Sequence, residues 1–518
     1  MHDPQLHNED LAPVAADKRT WNVWHIAALW VGMCICIPTY QLASGLVAQG
    51  MAWWQGVITV TLGNVIVLLP MVLNAHAGTQ YGIPFPVFAR ASYGVLGANV
   101  PAVMRAIVAC GWFGIQTWFG GLAIFELINS FGDAGAPILA PLPETGSPQA
   151  QEGAWPFWLA VGLSPGQLGC FVAFWLTNVF FIWKGTESIK WMETFAAPFL
   201  IVAGLGLLVW AFVRVGSVGA VLSQGSSFPE GSGFWTVFFP GLTAMVGFWA
   251  TLSLNIPDFT RFAKSQRDQV LGQAIGLPPT MGLFAFIGVA VTAATPLIFG
   301  TVIDNPVTVM ARVGSPAVTV VAMFAISLAT LSTNIAANVV SPANDFSNLQ
   351  PGKISYRMGG YITAVIGFLI MPWKLLASAG TYLFIWLIGY SALLGPIGGV
   401  MIADYFLVRR RRLQLADLYR RGGVYEYSRG FHWTAVLATV LGILPNLPGF
   451  LFTLVAGGNK TQYLAELSTR GSAGWVSFAS ASMGLYDYAW FVGFLLAGGL
   501  YLALSAKPAR APVPGAAT

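Results

Sequence analysis

The sequence predicts an all-α membrane protein with about twelve transmembrane helices, and three observations carry that expectation. Only 9% of the 518 residues are charged and 56% are apolar, against roughly 25% charged in a soluble globular domain. Apolar runs of the roughly 20 residues needed to cross a bilayer recur along the whole chain. The cations between those runs fall mostly on one side of the membrane once the runs are counted as crossings. Disorder does not account for the scarcity of charge, because 20 Trp, 35 Phe and 15 Tyr supply far more buriable surface than a solvated chain carries.

The runs lie near 22–46, 54–75, 98–132, 155–183, 191–215, 233–256, 272–300, 315–341, 358–373, 376–404, 432–456 and 484–505. The first 20 residues are polar and have no apolar stretch before a small-residue cleavage site, so the N-terminus is expected in the cytoplasm. Twelve crossings then put 20 Lys and Arg inside and five outside, the five being Arg214, Arg312, Lys374, Lys460 and Arg470. One helix more or fewer would place Arg409 to Arg412 opposite the basic loop at Arg261 to Arg267. The four-arginine run therefore reads as a cytoplasmic flank and not as a nuclear signal or nucleic-acid patch. The stretches 133–154 and 216–232 are rich in Gly, Pro and Ser and are expected as irregular extracellular connections. Cys34, Cys36, Cys110 and Cys170 all sit in apolar segments, as small buried residues do.

Two spans carry helix breakers at their middle. The first has Gly32 and Pro38; the sixth has Pro240, Gly241 and Gly247. They are five helices apart, the offset that two inverted five-helix repeats would produce, and such repeats place ligands at unwound helices near the bilayer midplane. Unwinding there frees carbonyls that lipid cannot satisfy but a cation or ligand can.

In the third span, Trp112 and Gln116 are four residues apart and share a face. An aromatic plate beside an amide suits a planar, amide-bearing heterocycle. The eighth span is unusually polar: Asn334 and Asn338 share a face, and Ser332 and Thr333 add hydroxyls close to carbonyls of Gly32 and Ile35. Neutral oxygens gathered at one point match a hard monovalent cation such as Na+. No acidic residue falls at the middle of these helices, which argues against a central carboxylate proton relay and, with Arg and Lys equally absent, for an uncharged substrate. Asp258 falls where the sixth span exits and is expected to cap a helix or pair with Arg261.

These residues sit within a longer pattern. Asn8-Glu-Asp-Leu-Ala-Pro, Gly82-Ile-Pro-Phe-Pro-Val-Phe-Ala-Arg, Gly111-Trp-Phe-Gly-Ile-Gln-Thr-Trp, Gly247-Phe-Trp-Ala-Thr, Ser332-Thr-Asn-Ile-Ala-Ala-Asn and Asp404-Tyr-Phe-Leu-Val-Arg follow in order. In them the chain resembles, nearly end to end, the nucleobase–cation symporter family of hydantoin, allantoin, uracil, purine and cytosine permeases. The resemblance implies an amino-acid-transporter-like fold: two inverted five-helix repeats and two additional C-terminal helices, working by alternating access. On this chain it implies a cytoplasmic tail at 1–20, repeats at 21–215 and 216–408, a basic cytoplasmic loop at 409–431, two further helices within 432–506, and a cytoplasmic tail at 507–518. It implies that Trp112 and Trp249 sandwich the substrate ring, that Gln116 and Asn338 hydrogen-bond its edge, and that Asn334 supports them. A Na+ ion would take the carbonyls of Gly32, Ile35 and Ala329 and the hydroxyls of Ser332 and Thr333. Trp249 is the one residue that the resemblance alone singles out. Cys36 and Phe248 depart from the hydantoin-transporting member, which has a glutamine and a glycine there, so a tighter and less polar pocket is expected.

The expected function is secondary active import of a neutral planar nucleobase or related ureide or hydantoin, with uracil or allantoin favoured, by cation symport across the plasma (inner) membrane. The alternative is a proton-coupled purine or cytosine permease. A channel would line a continuous pore, whereas here the polar residues cluster at one depth. An enzyme would need a nucleophile beside a base or a set of metal ligands, and none of His2, His7, His25, His76 and His432 stands with a midspan acid. The lipid bilayer and a small heterocycle are the expected partners; neither nucleic acid, an obligate protein partner nor an organic cofactor is expected.

Overall fold

The computed structural model describes residues 3–132, 137–144, 147–184, 187–223, 225–228, 233–313, 316–376 and 381–505, without side chains at 187–197, 316 and 318. The expected tail at 507–518 lies outside the described residues, as do parts of the loops at 133–154 and 216–232. Among the described residues only two isolated bridges interrupt an otherwise all-helical chain. Eight helices are long and apolar enough to cross a membrane, and two bent pairs raise that to ten. Gly233–Phe248 and Tyr356–Leu369 are shorter and fall where the sixth and ninth spans are expected. The architecture is thus consistent with the expected twelve.

The first span is broken: Val23–Cys34 and Ile37–Ala48 meet at 59°, with Ile35 and Cys36 between them. Pro38 lies in the first turn of the second half, where its missing N–H costs nothing. The sixth breaks at Trp249, between Gly233–Phe248 and Ala250–Asn255. Pro240 and Gly241, expected at the interruption, lie inside the first of these helices, so the interruption falls beyond them. The eighth is interrupted at Val339, between Pro316–Asn338 and Val340–Leu349.

Other boundaries also differ from the expected runs. The stretch 155–183 is two helices, Trp155–Val161 and Pro165–Lys184. Gly162, at φ 91°, ends the first, and Ser164 and Gln167 cap each other's backbone N–H groups to start the second. The last span is Ala489–Ser505, and Ala473–Tyr486 meets it at 78°. Between them Asp487 pairs with Lys460. The spans pack closely where side chains are small: a Cβ on Gly288 of the seventh span would lie 2.1 Å from the carbonyl oxygen of Tyr40.

One face gathers the segments expected to be cytoplasmic. Asp3 N–H donates to the Tyr419 carbonyl, and Arg261 Nη1 donates to the Asp10 carbonyl at 2.9 Å. Arg90, fully buried, donates to the carbonyls of Leu6 and Leu418 and to Asn348 Oδ1. The basic loop is folded onto this face, with Arg409 paired to Asp404 at 2.7 Å. Beneath it lies a fully buried ion pair, Arg105 Nη1 to Asp345 Oδ2 at 3.2 Å. Asp258 caps, as expected, but across the fold: its Oδ1 accepts the N–H of Phe85, the first residue of Phe85–Tyr93. Arg261 is not its ion-pair partner and turns instead to Asp10.

Candidate functional site

Trp112, Gln116, Cys36, Phe248, Trp249, Thr333 and Asn338 line one cavity between the first, third, sixth and eighth spans, together with Met33, Thr251, Leu252 and Ala337. Two of the three helix interruptions, Ile35–Cys36 and Trp249, open onto it. About 20 Å3 of it is open to the centre of a water-sized sphere. A single water needs roughly 10–15 Å3 on that measure, so a six-membered ring enters only as these side chains separate.

The two indoles do not face each other across a gap. Phe248 bridges them, edge-on to Trp112 at 5.0 Å and to Trp249 at 4.9 Å between ring centres. The tenth span holds Trp112 from the other side. Tyr382, Trp386 and Tyr390 all meet its ring edge-on within 6.3 Å, and its Nε1 donates to Tyr390 Oη at 3.3 Å. Trp386 comes this close because residue 111 is glycine; a Cβ there would lie 2.3 Å from the Trp386 ring.

A relay of amides sets the polarity of the opposite wall. Asn178 Nδ2 donates to the Phe174 carbonyl at 2.9 Å, which leaves its Oδ1 to accept from Asn334 Nδ2 at 3.0 Å. Asn334 Nδ2 also reaches the Phe113 carbonyl and Thr117 Oγ1, so its Oδ1 is the atom that accepts from Asn338 Nδ2, at 3.0 Å. Asn338 therefore presents a carbonyl oxygen to the cavity it lines. Gln116 Oε1 is buried there without a donor as well. Two amide acceptors beside aromatic rings suit a flat ligand that carries N–H donors, because an acceptor left dry and unpaired is costly. Trp249 Nε1 is a buried donor without a partner.

Next to this cavity the first and eighth spans meet. Thr333 Oγ1 donates to the Gly32 carbonyl at 3.2 Å. Ser332 Oγ is fully buried and has no partner. Ile35 caps the first half-helix, so its carbonyl lies in the break, and it packs in one buried cluster with Ala329. A Cβ built on Gly32 would meet nothing within 4 Å. An unpaired hydroxyl, carbonyls at a helix break and open space at Gly32 fit a small cation held by neutral oxygens.

Of the twelve residues singled out from the sequence, seven line the cavity, Gly32 and Asn334 hydrogen-bond to residues that line it, and Ile35, Ala329 and Ser332 lie on the same first and eighth spans. Missing from that set are Tyr382, Trp386 and Tyr390, whose four-residue spacing puts them on one helical face, and Thr117 and Asn178, which anchor the amide relay. The four cysteines are all free and buried.

Residues 13–493 match the family described as permease for cytosine/purines, uracil, thiamine, allantoin. The chain is 45% identical over 510 residues to the purine-uracil permease NCS1 of Arabidopsis thaliana, covering 98% of this chain and 79% of that one. It is 39% identical to the allantoin permease of Bacillus subtilis, covering 96% and 93% of the two chains. Among solved structures it is similar to Mhp1, a nucleobase-cation-symport-1 family transporter, in a closed conformation with bromovinylhydantoin bound. There the TM-score is 0.73 at 26% identity, covering 96% of this chain and 95% of Mhp1.

Proposed function

Since this chain belongs to the permease family for cytosine/purines, uracil, thiamine and allantoin, we propose that it imports a neutral planar heterocycle, uracil or allantoin in the first place, together with Na+. It is a multi-pass membrane permease and not an enzyme. The observation that carries the substrate class is the amide relay ending at Asn338, which leaves its Oδ1 and the unpaired Gln116 Oε1 as acceptors on two residues that line the cavity. Uracil and allantoin both offer N–H groups to such a pair. Trp112 and Trp249 stack on the ring once Phe248 swings out from between them, and Asn334 holds Asn338 in register. Gly32, Ile35, Ala329, Ser332 and Thr333 hold the ion. Its occupancy ties the first span to the eighth, which is how the ion and the ring favour the same state.

The two repeats at 21–215 and 216–408 would rock around this site to open it alternately to either side, with both termini in the cytoplasm of a plasma-membrane protein. Na+ is preferred over H+ because no carboxylate lines the cavity. Radiolabelled uracil, allantoin, hydantoin, adenine and cytosine, offered to proteoliposomes under a Na+ gradient or a pH gradient, test the reading. Uptake of uracil or allantoin driven by Na+ supports it. Uptake driven only by pH would assign the coupling to protons, and accumulation of none of the five would remove the substrate assignment.

Two variants follow from the geometry. Thr333→Ala removes one oxygen ligand and the tie to Gly32; apparent Na+ affinity is expected to fall roughly ten-fold, the worth of about one good hydrogen bond. Substrate affinity should fall at low Na+ and recover at saturating Na+, as linkage requires; equal Na+ titrations for variant and wild type would exclude Thr333 as a ligand. Phe248→Gly removes the ring that bridges the two indoles. Competition assays should show hydantoins with bulky substituents gaining roughly five-fold over uracil, about 1 kcal/mol of relieved overpacking. An unchanged order of preference would mean that Phe248 does not set the pocket's size.

A further inference from the structure

A second cavity, of about 510 Å3, opens between the fifth and eighth spans on the lipid-facing side of the bundle. Every residue lining it is apolar, from Phe199 and Trp210 on the fifth span to Met310, Val313 and Ala325 on and before the eighth. Several of these residues, Val202 and Val321 among them, are exposed, so in a bilayer the groove faces hydrocarbon. From Phe199 to Trp210 it runs about 16 Å at 1.5 Å per residue. One leaflet's share of a 30 Å hydrocarbon core is about 15 Å.

Two cations flank the Trp210 end of the groove along the chain. Arg214 stands one helical turn beyond Trp210, and Arg312 lies between Met310 and Val313. Both are exposed, and neither is among the ion pairs of the described residues. Glu126 lies within electrostatic reach of Arg312 without pairing to it. These are two of the five Lys and Arg residues that the crossing count puts on that side of the membrane. Two guanidiniums with unspent donors flanking a one-leaflet-deep apolar slot match one ligand chemistry, a phosphate diester attached to an acyl chain.

We propose that this groove is a binding site for an anionic phospholipid of the adjoining leaflet. Its acyl chain lies between the fifth and eighth spans, and its phosphate is held by Arg214 and Arg312. A zwitterionic lipid brings its own cation to the same end and gains less from the two arginines.

The test uses the whole protein in phosphatidylcholine nanodiscs containing a trace of lipid with a photoactivatable acyl chain. The headgroup of that lipid is phosphatidylglycerol or phosphatidylcholine on the same chain, and the labelled peptides are mapped by mass spectrometry. The phosphatidylglycerol probe is expected to label the fifth and eighth spans around Gly206 and Ala322 several-fold more than the phosphatidylcholine probe. The double variant Arg214→Gln, Arg312→Gln should bring the two probes level, and Ala203→Trp, which fills the slot, should abolish labelling there by both. Labelling elsewhere on the lipid-facing surface, around Leu451, should stay unchanged and reports that the variants are folded. No groove labelling in the wild type would overturn the site. Equal labelling by the two probes in the wild type would overturn the headgroup assignment whatever the variants do.

Discussion

Arg105→Met is expected to lower the protein's stability by about 3–5 kcal/mol, the cost of leaving one member of a buried ion pair without its partner. Arg105 sits in the third span and Asp345 in the second half of the eighth; both side chains are wholly buried, 3.2 Å apart. The pair is also poorly supplied with other contacts, since Arg105 Nε and Nη2 and Asp345 Oδ1 have no partners. Neighbouring polar atoms of Asn344, Asn255 and Asp258 are unpaired as well. With so few other polar contacts, the two side chains depend on each other. Replacing both partners, as Arg105→Met with Asp345→Leu, should recover most of the loss, because two well-packed apolar groups carry no desolvation cost. Denaturant unfolding in detergent measures all three proteins; a single variant as stable as the wild type would show that the pair is not ionised in the folded protein.

The second large effect is on binding. Trp112→Ala should weaken substrate binding by roughly 1–3 kcal/mol, the range for stacking a base on an aromatic side chain. Its ring is fixed on several sides: Phe248, Tyr382, Trp386 and Tyr390 meet it edge-on, and Tyr390 accepts its indole N–H. The flat face is thereby set before the ligand arrives, so little ordering entropy opposes stacking. Trp249→Ala should have an effect in the same range. Equilibrium binding of labelled uracil or allantoin at saturating Na+ reads both, and affinities equal to the wild type in both variants would dispose of the stacking role.

Much of this site is legible in sequence because helical spacing fixes which side chains share a face. Trp112 with Gln116, and Asn334 with Asn338, are each four residues apart, and each pair lies together at the cavity or in the relay behind it. Spacing does not say which helix stands opposite. The aromatic wall of Tyr382, Trp386 and Tyr390 obeys the same four-residue rule, yet within an aromatic-rich apolar span it has the look of ordinary packing. Asn178 and Thr117 acquire meaning only through contact with Asn334. The sixth span stays helical through Pro240, whose lost hydrogen bond and carbonyl clash surrounding helices can absorb, and its break falls at Trp249 instead. On the face expected to be cytoplasmic, the sequence suggests a polar tail and a basic loop. Both are tied down by long-range hydrogen bonds, such as those the Arg90 guanidinium donates to the carbonyls of Leu6 and Leu418, which no local pattern encodes.

In the proposed site, Gln116 Oε1 and Asn338 Oδ1 receive N–H groups of a flat, uncharged ligand. Equilibrium binding to the purified Phe248→Gly protein, where methyl groups have room, tests it most directly with three pairs: uracil, hydantoin and allantoin, each against its analogue methylated at the ring nitrogens. At least one parent compound is expected to bind in a Na+-dependent way and its methylated form more than ten-fold more weakly, each lost donor costing about 1–3 kcal/mol. Equal affinity for a parent and its methylated analogue would contradict it.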